Sequence, residues 1–240
     1  MTELINIIQI QEKHIKDERY IEFTRQAINL YLKIFSDPPY YEHFEFNDIE
    51  KEFYQYINDG CFLLAITNNE TVGFMCSSTG LDHVSHEIET KMRVNGINYK
   101  KDIYISELGV SSEHRNKGIA KKLMDSFMII NQGKNLFLRT GRYNNDHVIR
   151  LYEKYDFKKT SIFEDVMNQR VNGDLDMDER FYMTKIQKAP YFYRENTDGY
   201  SSGSEHLYGT HGYYNKESDT QDDKQNDDSG YGSGSEYMYG

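Results

Sequence analysis

One stretch constrains this chain more than any other: residues 102–120, DIYISELGV followed by SSEHRNKGIA. Its first half alternates as a strand does. Its second half is a short polar turn that runs from Arg115 and Asn116 through Lys117 and Gly118 into Ile119 and Ala120, where a helical pattern begins. A strand that feeds a Gly-containing turn at a helix start makes an anion site. The N–H groups of the first helical turn have no intrahelical partner, and the helix dipole favours negative charge there. Gly118 lets a ligand approach the backbone, and Arg115 and Lys117 add positive charge. The stretch reads as a pyrophosphate cradle.

The rest of the chain has to fit around it. At 240 residues it holds one domain plus something more, or two small ones. Its formal net charge of −11 excludes a general nucleic-acid binder. The charge is uneven: residues 190–240 carry 3 Lys/Arg and 10 Asp/Glu, a net of −7, which leaves −4 for residues 1–189. The two cysteines, Cys61 and Cys76, sit in apolar strand-like runs without metal-type spacing, so buried free thiols are expected. The N-terminal MTELINIIQI has neither the basic start nor the apolar core of a secretory signal. No apolar run approaches the ~18 residues of a membrane span. A soluble, cytoplasmic protein is the expectation.

The elements follow in order. Residues 2–10 read as a strand. Asp17 caps a helix to about Phe35, stopped by Asp37-Pro38-Pro39. An aromatic and acidic loop follows, with Tyr40, Tyr41, Glu42, His43 and Phe44. Asn47 or Asp48 caps a second helix to about Asn58. Cys61–Thr67 and Thr71–Ser78 form a hairpin across Asn68-Asn69-Glu70. Residues 81–95 read as a short helix or insertion. The central strand is 103–110, and the helix after the cradle runs over about 117–132, ended by Gly133. Asn135–Thr140 is a fifth strand. Asn144 or Asn145 opens a helix through Tyr155. Phe157–Phe163 and Arg180–Gln187 form a last pair joined by an acidic loop. The order predicts an α/β fold with one mixed sheet between two helical layers, and about 190 residues bury enough for one core without disulfides or metals.

After Pro190 the composition changes: 8 Gly and 9 Tyr, many Ser, Asn and Asp, and almost no aliphatic residues. Residues 199–209 and 230–240 nearly repeat. This segment, 190–240, is expected to be a disordered acidic tail, because it buries too little apolar surface to offset its ordering entropy. Its Tyr residues, spaced among Gly and Ser, could support weak association; a merely solvating tail is the alternative.

Two segments carry a resemblance. V-S-S-E-H-R-N-K-G-I-A at Val110–Ala120 resembles the acetyl-CoA motif of the GCN5-related N-acetyltransferase (GNAT) superfamily, Arg/Gln-x-x-Gly-x-Gly/Ala. Downstream, Asn145 through Phe157 resembles the family's N-x-x-A-x-x-L-Y-x-K-x-G-F element, with Val148 in the Ala position and Asp156 in the Gly position. Pro38-Pro39-Tyr40-Tyr41-Glu42 resembles the PPW-x-E loop of a bacterial-type branch. The likeness spans roughly residues 2–188 and implies the three-layer GNAT fold over 1–189. It implies acetyl-CoA as co-substrate, no metal, and acetyl transfer to a primary amine in a ternary complex. Homodimers are common among look-alikes. A catalytically weak CoA-binding module and an acyltransferase with another acyl donor are the competing functions.

The resemblance also implies roles. Arg115 to Ala120 would hold the pyrophosphate. The backbone of Leu108, Gly109 and Val110 would pair with the pantetheine arm, with the Val110 N–H as an oxyanion donor. Asn145 would bind the pantetheine amides, or simply cap its helix. Tyr152 is the position of the general acid; a core tyrosine is the alternative, and Tyr155 is the local rival. Glu107 is the candidate base, against a solvent-facing strand-edge carboxylate. Tyr40, Tyr41 and Glu42, with His43, would line the acceptor pocket, against an ordinary surface loop. Two weaker patterns are set aside. Asp174-x-Asp176-x-Asp178 lacks the Gly and the closing Glu of a calcium loop, and His83-x-x-His86 lacks further ligands.

Overall fold

The fold, obtained as a computed structural model, is described for residues 4–141 and 146–187. Asn145 and the segment 190–240 therefore lie outside the described residues. The elements are β1 (Asn6–Ile10), α1 (Glu18–Ser36), α2 (Phe46–Asp59), β2 (Cys61–Thr67), β3 (Glu70–Thr79), α3 (His86–Val94), β4 (Ile103–Val110), α4 (Ile119–Ile130), β5 (Leu136–Gly141), α5 (Asp146–Glu153), β6 (Lys158–Gln169) and β7 (Leu175–Lys185). The strands form one seven-stranded sheet in the order β1-β2-β3-β4-β5-β7-β6. Among the described residues only β4 and β5 pair in parallel; the other pairings are antiparallel. This is the expected mixed sheet.

The alternation of each strand sorts its residues between two helical layers. On one face, Leu63, Ala65, Met75, Ile103, Ile105, Leu136 and Leu138 pack against Leu123, Met124 and Phe127 of α4 and Ile149 of α5. On the other, Phe62, Leu64, Phe74 and Cys76 meet Ile28 and Tyr31 of α1 and Phe53 of α2. Further along that second face, Tyr104, Phe137 and Tyr182 pack on Ile88 and Met92 of α3. Cys61 and Cys76 are both free and buried, as expected, and they belong to opposite faces.

Several boundaries differ from the sequence reading, each for a local reason. The Asp17 cap holds, its side chain accepting from the Arg19 N–H. Helix α2 instead starts after Glu45, which makes no side-chain cap bond, so neither Asn47 nor Asp48 is the N-cap. The loop drawn at 164–179 is a correction: it is nearly all strand. Asp165 pairs with Glu179 and Met167 with Met177, leaving a tight turn at about 170–174. Its acidic residues read as loop by composition, but a sheet extended beyond its core accepts them on exposed faces. Asp156, in the position where the motif carries Gly, has φ 68°. The turn into β6 keeps the left-handed backbone that Gly favours, and Asp is among the few residues that tolerate it. Lys185 Nζ bonds its carboxylate at 3.2 Å.

Candidate active site

The ladder between β4 and β5 is short. Ile103, Tyr104 and Ile105 pair with Leu136, Phe137 and Leu138, and the pairing ends there. On its other side β4 stays paired to β3 as far as Val110. The two central strands therefore diverge from Ser106 and Arg139 onward. The β5-facing edge of Ser106–Val110 is left without ladder bonds, ready for an extended amide-bearing ligand. The sequence showed the strand; this gap depends on where the parallel partner stops.

A bulge decides what faces the gap. Cys76 pairs with Glu107 and Ser77 with Ile105, so Ser106 is the extra residue. Strict alternation would point Glu107 the same way as Ile103 and Ile105, toward α4 and α5. The extra residue turns it to the α1–α2 side, while Leu108 and Val110 now pack with the α4–α5 core. Gly109 meets Phe74 from the same second face: a Cβ there would lie 2.4 Å from that ring, so glycine is required for packing.

Beyond Val110 the chain reaches α4 through Asn116 at φ 62° and Gly118 at φ 76°. Gly118 is the helix N-cap and supplies no side-chain cap. Its carbonyl accepts from the Lys122 N–H at 3.0 Å, so the N–H groups before Lys122 precede the first intrahelical bond. A Cβ on Gly118 would meet nothing within 4 Å. The space in front of this helix end is open, with the geometry that an anionic diphosphate needs. Arg115 Nε reaches the Val110 carbonyl at 3.4 Å, which ties the turn to the end of β4. Ile119 is buried and anchors the helix to the core rather than facing the cradle.

The gap opens into a solvent-open cleft of about 180 Å³. Glu107, Leu108, Tyr152, Tyr40 and Glu42 all line it, with Ser106, Val148, Arg139, Arg170, Asp178, Glu179 and Arg180. Tyr41 is not among the lining residues; it is 49% exposed and its carbonyl accepts from the Val171 N–H. Glu107 is buried, not a solvent-facing edge carboxylate, and its Oε1 has no hydrogen-bond partner. Burial, followed by the charge of Glu52, raises its pKa well above the usual carboxylate range, against the pull of Arg180. Tyr152 is buried on α5, its ring packed 5.7 Å from that of Phe157. Burial first, then the nearby Glu107 charge, raises its phenol pKa. Tyr155 is occupied elsewhere: its hydroxyl donates to Asp125 Oδ1 on α4 at 2.7 Å.

The wall of the cleft beside Glu42 is held by contacts across more than a hundred residues. Glu42 is buried, and Arg180 on β7 donates to its Oε1 at 3.1 Å. Arg180 also reaches Asn168 Oδ1 at 3.2 Å. Arg170 donates to the Tyr40 carbonyl at 2.7 Å and to Asp178 at 2.9 Å. His43 N–H donates to the Gln169 carbonyl. The loop after α1 is thereby pinned to the β6–β7 hairpin. Burial raises the pKa of Glu42 while Arg180 opposes it. On the same wall Arg139 bonds Glu164 at 2.6 Å. Arg139, Arg170, Arg180 and Asp178 were not picked out from sequence. The available signal was charge on β5 and β7 at Arg139, Asp178 and Arg180, and at Arg170 just past the end of β6.

The Acetyltransferase (GNAT) family model matches residues 21–157, more than half of the chain. The chain belongs to the GNAT family. It is an acyltransferase of the N-acetyltransferase kind. NAA60 of Arabidopsis thaliana, solved with a bisubstrate analogue, is similar at 18% identity and a TM-score of 0.51, over 76% of this chain and 97% of that one. The same plant protein with acetyl-CoA aligns at 17% identity and 0.50, over 77% and 100%. PH1933 of Pyrococcus horikoshii OT3 gives 18% and 0.50, over 78% and 100%. At such identities the likeness is one of fold. No curated protein matches this chain in sequence. Among the described residues, no cluster of three or more His, Cys, Asp or Glu could hold a metal, and no helix is long and apolar enough to cross a membrane.

Proposed function

We propose that this GNAT protein transfers an acetyl group from acetyl-CoA directly to a primary amine, with Glu107 as base and Tyr152 as acid. The observation that carries the reading is the convergence of both side chains on one cleft where β4 and β5 separate. The cofactor fits this chain: Gly118 leaves its helix end open, and the edge of Leu108–Val110 lacks ladder bonds. Acetyl-CoA supplies an activated carbonyl and a thiolate leaving group. The cradle from Arg115 to Ala120 and the backbone of Leu108, Gly109 and Val110 would hold it, with Asn145 assigned to the pantetheine amides.

The proton steps follow from the environments. A free alkylamine has pKa ~10.4 and must lose a proton to attack. A carboxylate raised by burial is a better base near neutral pH than an exposed one. The ammonium gives one proton to solvent; as the neutral nitrogen bonds the carbonyl carbon, Glu107 takes a second proton from it, and the carbon–sulfur bond breaks. Tyr152 gives its proton to the departing sulfur. The Glu107 charge is one cause of the high Tyr152 pKa, so protonating Glu107 brings that pKa down as the acid is needed. The products are the amide and CoA thiol, and the two side chains then re-equilibrate one proton. Glu42 and Tyr40, pinned by Arg180 and Arg170, shape the acceptor end. Buried thiols at Cys61 and Cys76 support action in a reducing, cytoplasmic setting.

The test is free-thiol release with acetyl-CoA on an amine panel, comparing the wild type with Tyr152→Phe and Tyr155→Phe. Tyr152→Phe should lower kcat ~10²–10⁴-fold, the usual contribution of a proton donor, with acetyl-CoA affinity retained. Tyr155→Phe should leave kcat nearly unchanged. Equal kcat for wild type and Tyr152→Phe would remove the acid role, and CoA binding without turnover on any amine would favour a binding module.

A further inference from the structure

Helix α1 has the cleft at its C-terminal end, where Phe35 lines it, and a second cavity at its N-terminal end. The second cavity is open to solvent, has a volume of about 260 Å³ and shares no lining residue with the cleft. It lies between β1, the first turns of α1 and the turn that joins β2 to β3. Local chemistry fixes its walls. Asn68 and Asn69, at φ 48° and 65°, form the tight turn that two left-handed residues give a hairpin. Just beyond, the Thr71 hydroxyl donates to the Phe23 carbonyl at 3.0 Å and the Thr71 N–H to Gln26 Oε1 at 2.9 Å, so α1 is tied to the hairpin.

Two of the lining residues have donors to spare. Thr67 is 2% exposed, and its buried hydroxyl has no hydrogen-bond partner. Arg19 is the only charged lining residue, and no carboxylate pairs with it among the described residues. Its Nη2 donates to the Tyr20 hydroxyl at 3.1 Å, and its guanidinium carbon lies 4.8 Å from the centre of that ring. The Tyr20 ring is in turn stacked on His14 at 4.4 Å. The cation is thus held by an aromatic ring rather than by an acid. Asp17, two residues earlier, is turned onto the Arg19 N–H as the helix cap. Ile8, Phe23 and Ile66 supply an apolar wall continuous with the core on the α1–α2 side. A spare guanidinium and a spare hydroxyl both call for an acceptor. A carboxylate is acceptor only, and its two oxygens match the guanidinium fork. The wall leaves room for a hydrocarbon body, since a cavity of about 150 Å³ already holds benzene.

We propose that this cavity binds a small monocarboxylate with an apolar body. Its oxygens accept from the Arg19 guanidinium and the Thr67 hydroxyl, and its body lies on Ile8, Phe23 and Ile66. The site is distinct from the cleft and does not rest on the amine-transfer reading. Calorimetric titration of the full chain with phenylacetate tests it, with 2-phenylethanol as the uncharged analogue and inorganic phosphate as an anion without an apolar body. Phenylacetate should bind saturably, and both controls at least about tenfold more weakly, because each lacks one half of the recognition. Arg19→Gln should weaken phenylacetate binding at least about tenfold. Thr67→Val keeps the side chain's shape and removes the hydroxyl. It should weaken phenylacetate binding severalfold and raise the thermal transition of the unliganded protein, since an unpartnered buried hydroxyl is gone. Absence of saturable phenylacetate binding overturns the proposal. So does equal affinity in wild type and Arg19→Gln, or equal affinity for phosphate, which marks a surface anion contact. Unchanged affinity in Thr67→Val with a lowered transition overturns the role of the Thr67 hydroxyl.

Discussion

The two ends of the cleft are built differently. The end proposed for the cofactor is local: a strand, a bend and a helix start within Ile103–Ile130, where the groups on offer are backbone amides. The end proposed for the acceptor is assembled from afar. Glu42 and Arg180 are 138 residues apart, and Tyr40 meets Arg170 across 130. There the groups on offer are buried side-chain charges. A local backbone site depends on conformation and tolerates side-chain change. A long-range charge site depends on every partner being present, since a buried charge left alone is costly.

The comparison can be broken at either end. The largest effect is expected at Gly118. Gly118→Glu forces a left-handed backbone on a residue with a Cβ, at ~1–2 kcal/mol. It also sets a carboxylate in the open space before the helix. Acetyl-CoA binding should be abolished in calorimetry while the thermal transition stays within several degrees of wild type. Retained tight binding would mean that the cradle lies elsewhere.

Next is Glu107, where the two ends meet. Its pKa is raised by folding, so its protonated form is favoured in the native state. Such a group stabilises the fold below its unfolded pKa. That contribution is lost as pH rises through the folded value, and at alkaline pH a buried charge remains as a cost. Glu107→Gln should therefore melt higher than wild type at pH 8 and differ less at pH 5. The same substitution should lower kcat ~10²-fold or more and remove the rise of kcat/KM with pH. A variant that keeps this rise would assign the base elsewhere.

A smaller effect, on stability rather than on the cofactor, is expected at Arg180. Its side chain is 6% exposed and that of Glu42 is 4% exposed. Arg180→Met leaves Glu42 buried with Arg170 at 3.7 Å as its nearest remaining cation. Breaking a buried pair typically costs ~3–5 kcal/mol. Denaturant titration should show a loss of this order, with KM for the amine raised and acetyl-CoA affinity kept. Loss of acetyl-CoA affinity with unchanged stability would erase the distinction between the two ends.

The same contrast explains what was legible beforehand. Gly118 and the strand before it could be read because turn chemistry and alternation are properties of adjacent residues. Tyr152 and Glu107 were named through motif spacing, yet their environments were not visible. The Ser106 bulge, which turns Glu107 to the α1–α2 side, leaves no mark in an alternating pattern. The hairpin strands were cut short at Phe163 and Arg180 because their acidic residues look like loop. Pairing of Met167 with Met177 supplies backbone bonds that composition does not reveal.

The sequence by itself determined the order of most elements, the glycine turn at Gly118 that opens a helix, and the family, because these depend on short-range backbone preferences and on residue order. Only the tertiary structure decided that β4 and β5 part at Ile105, that Glu107 is buried with a raised pKa, and that Glu42 closes on Arg180. Each of those depends on where distant segments come to rest and on how much water they exclude, and no local run of residues encodes either.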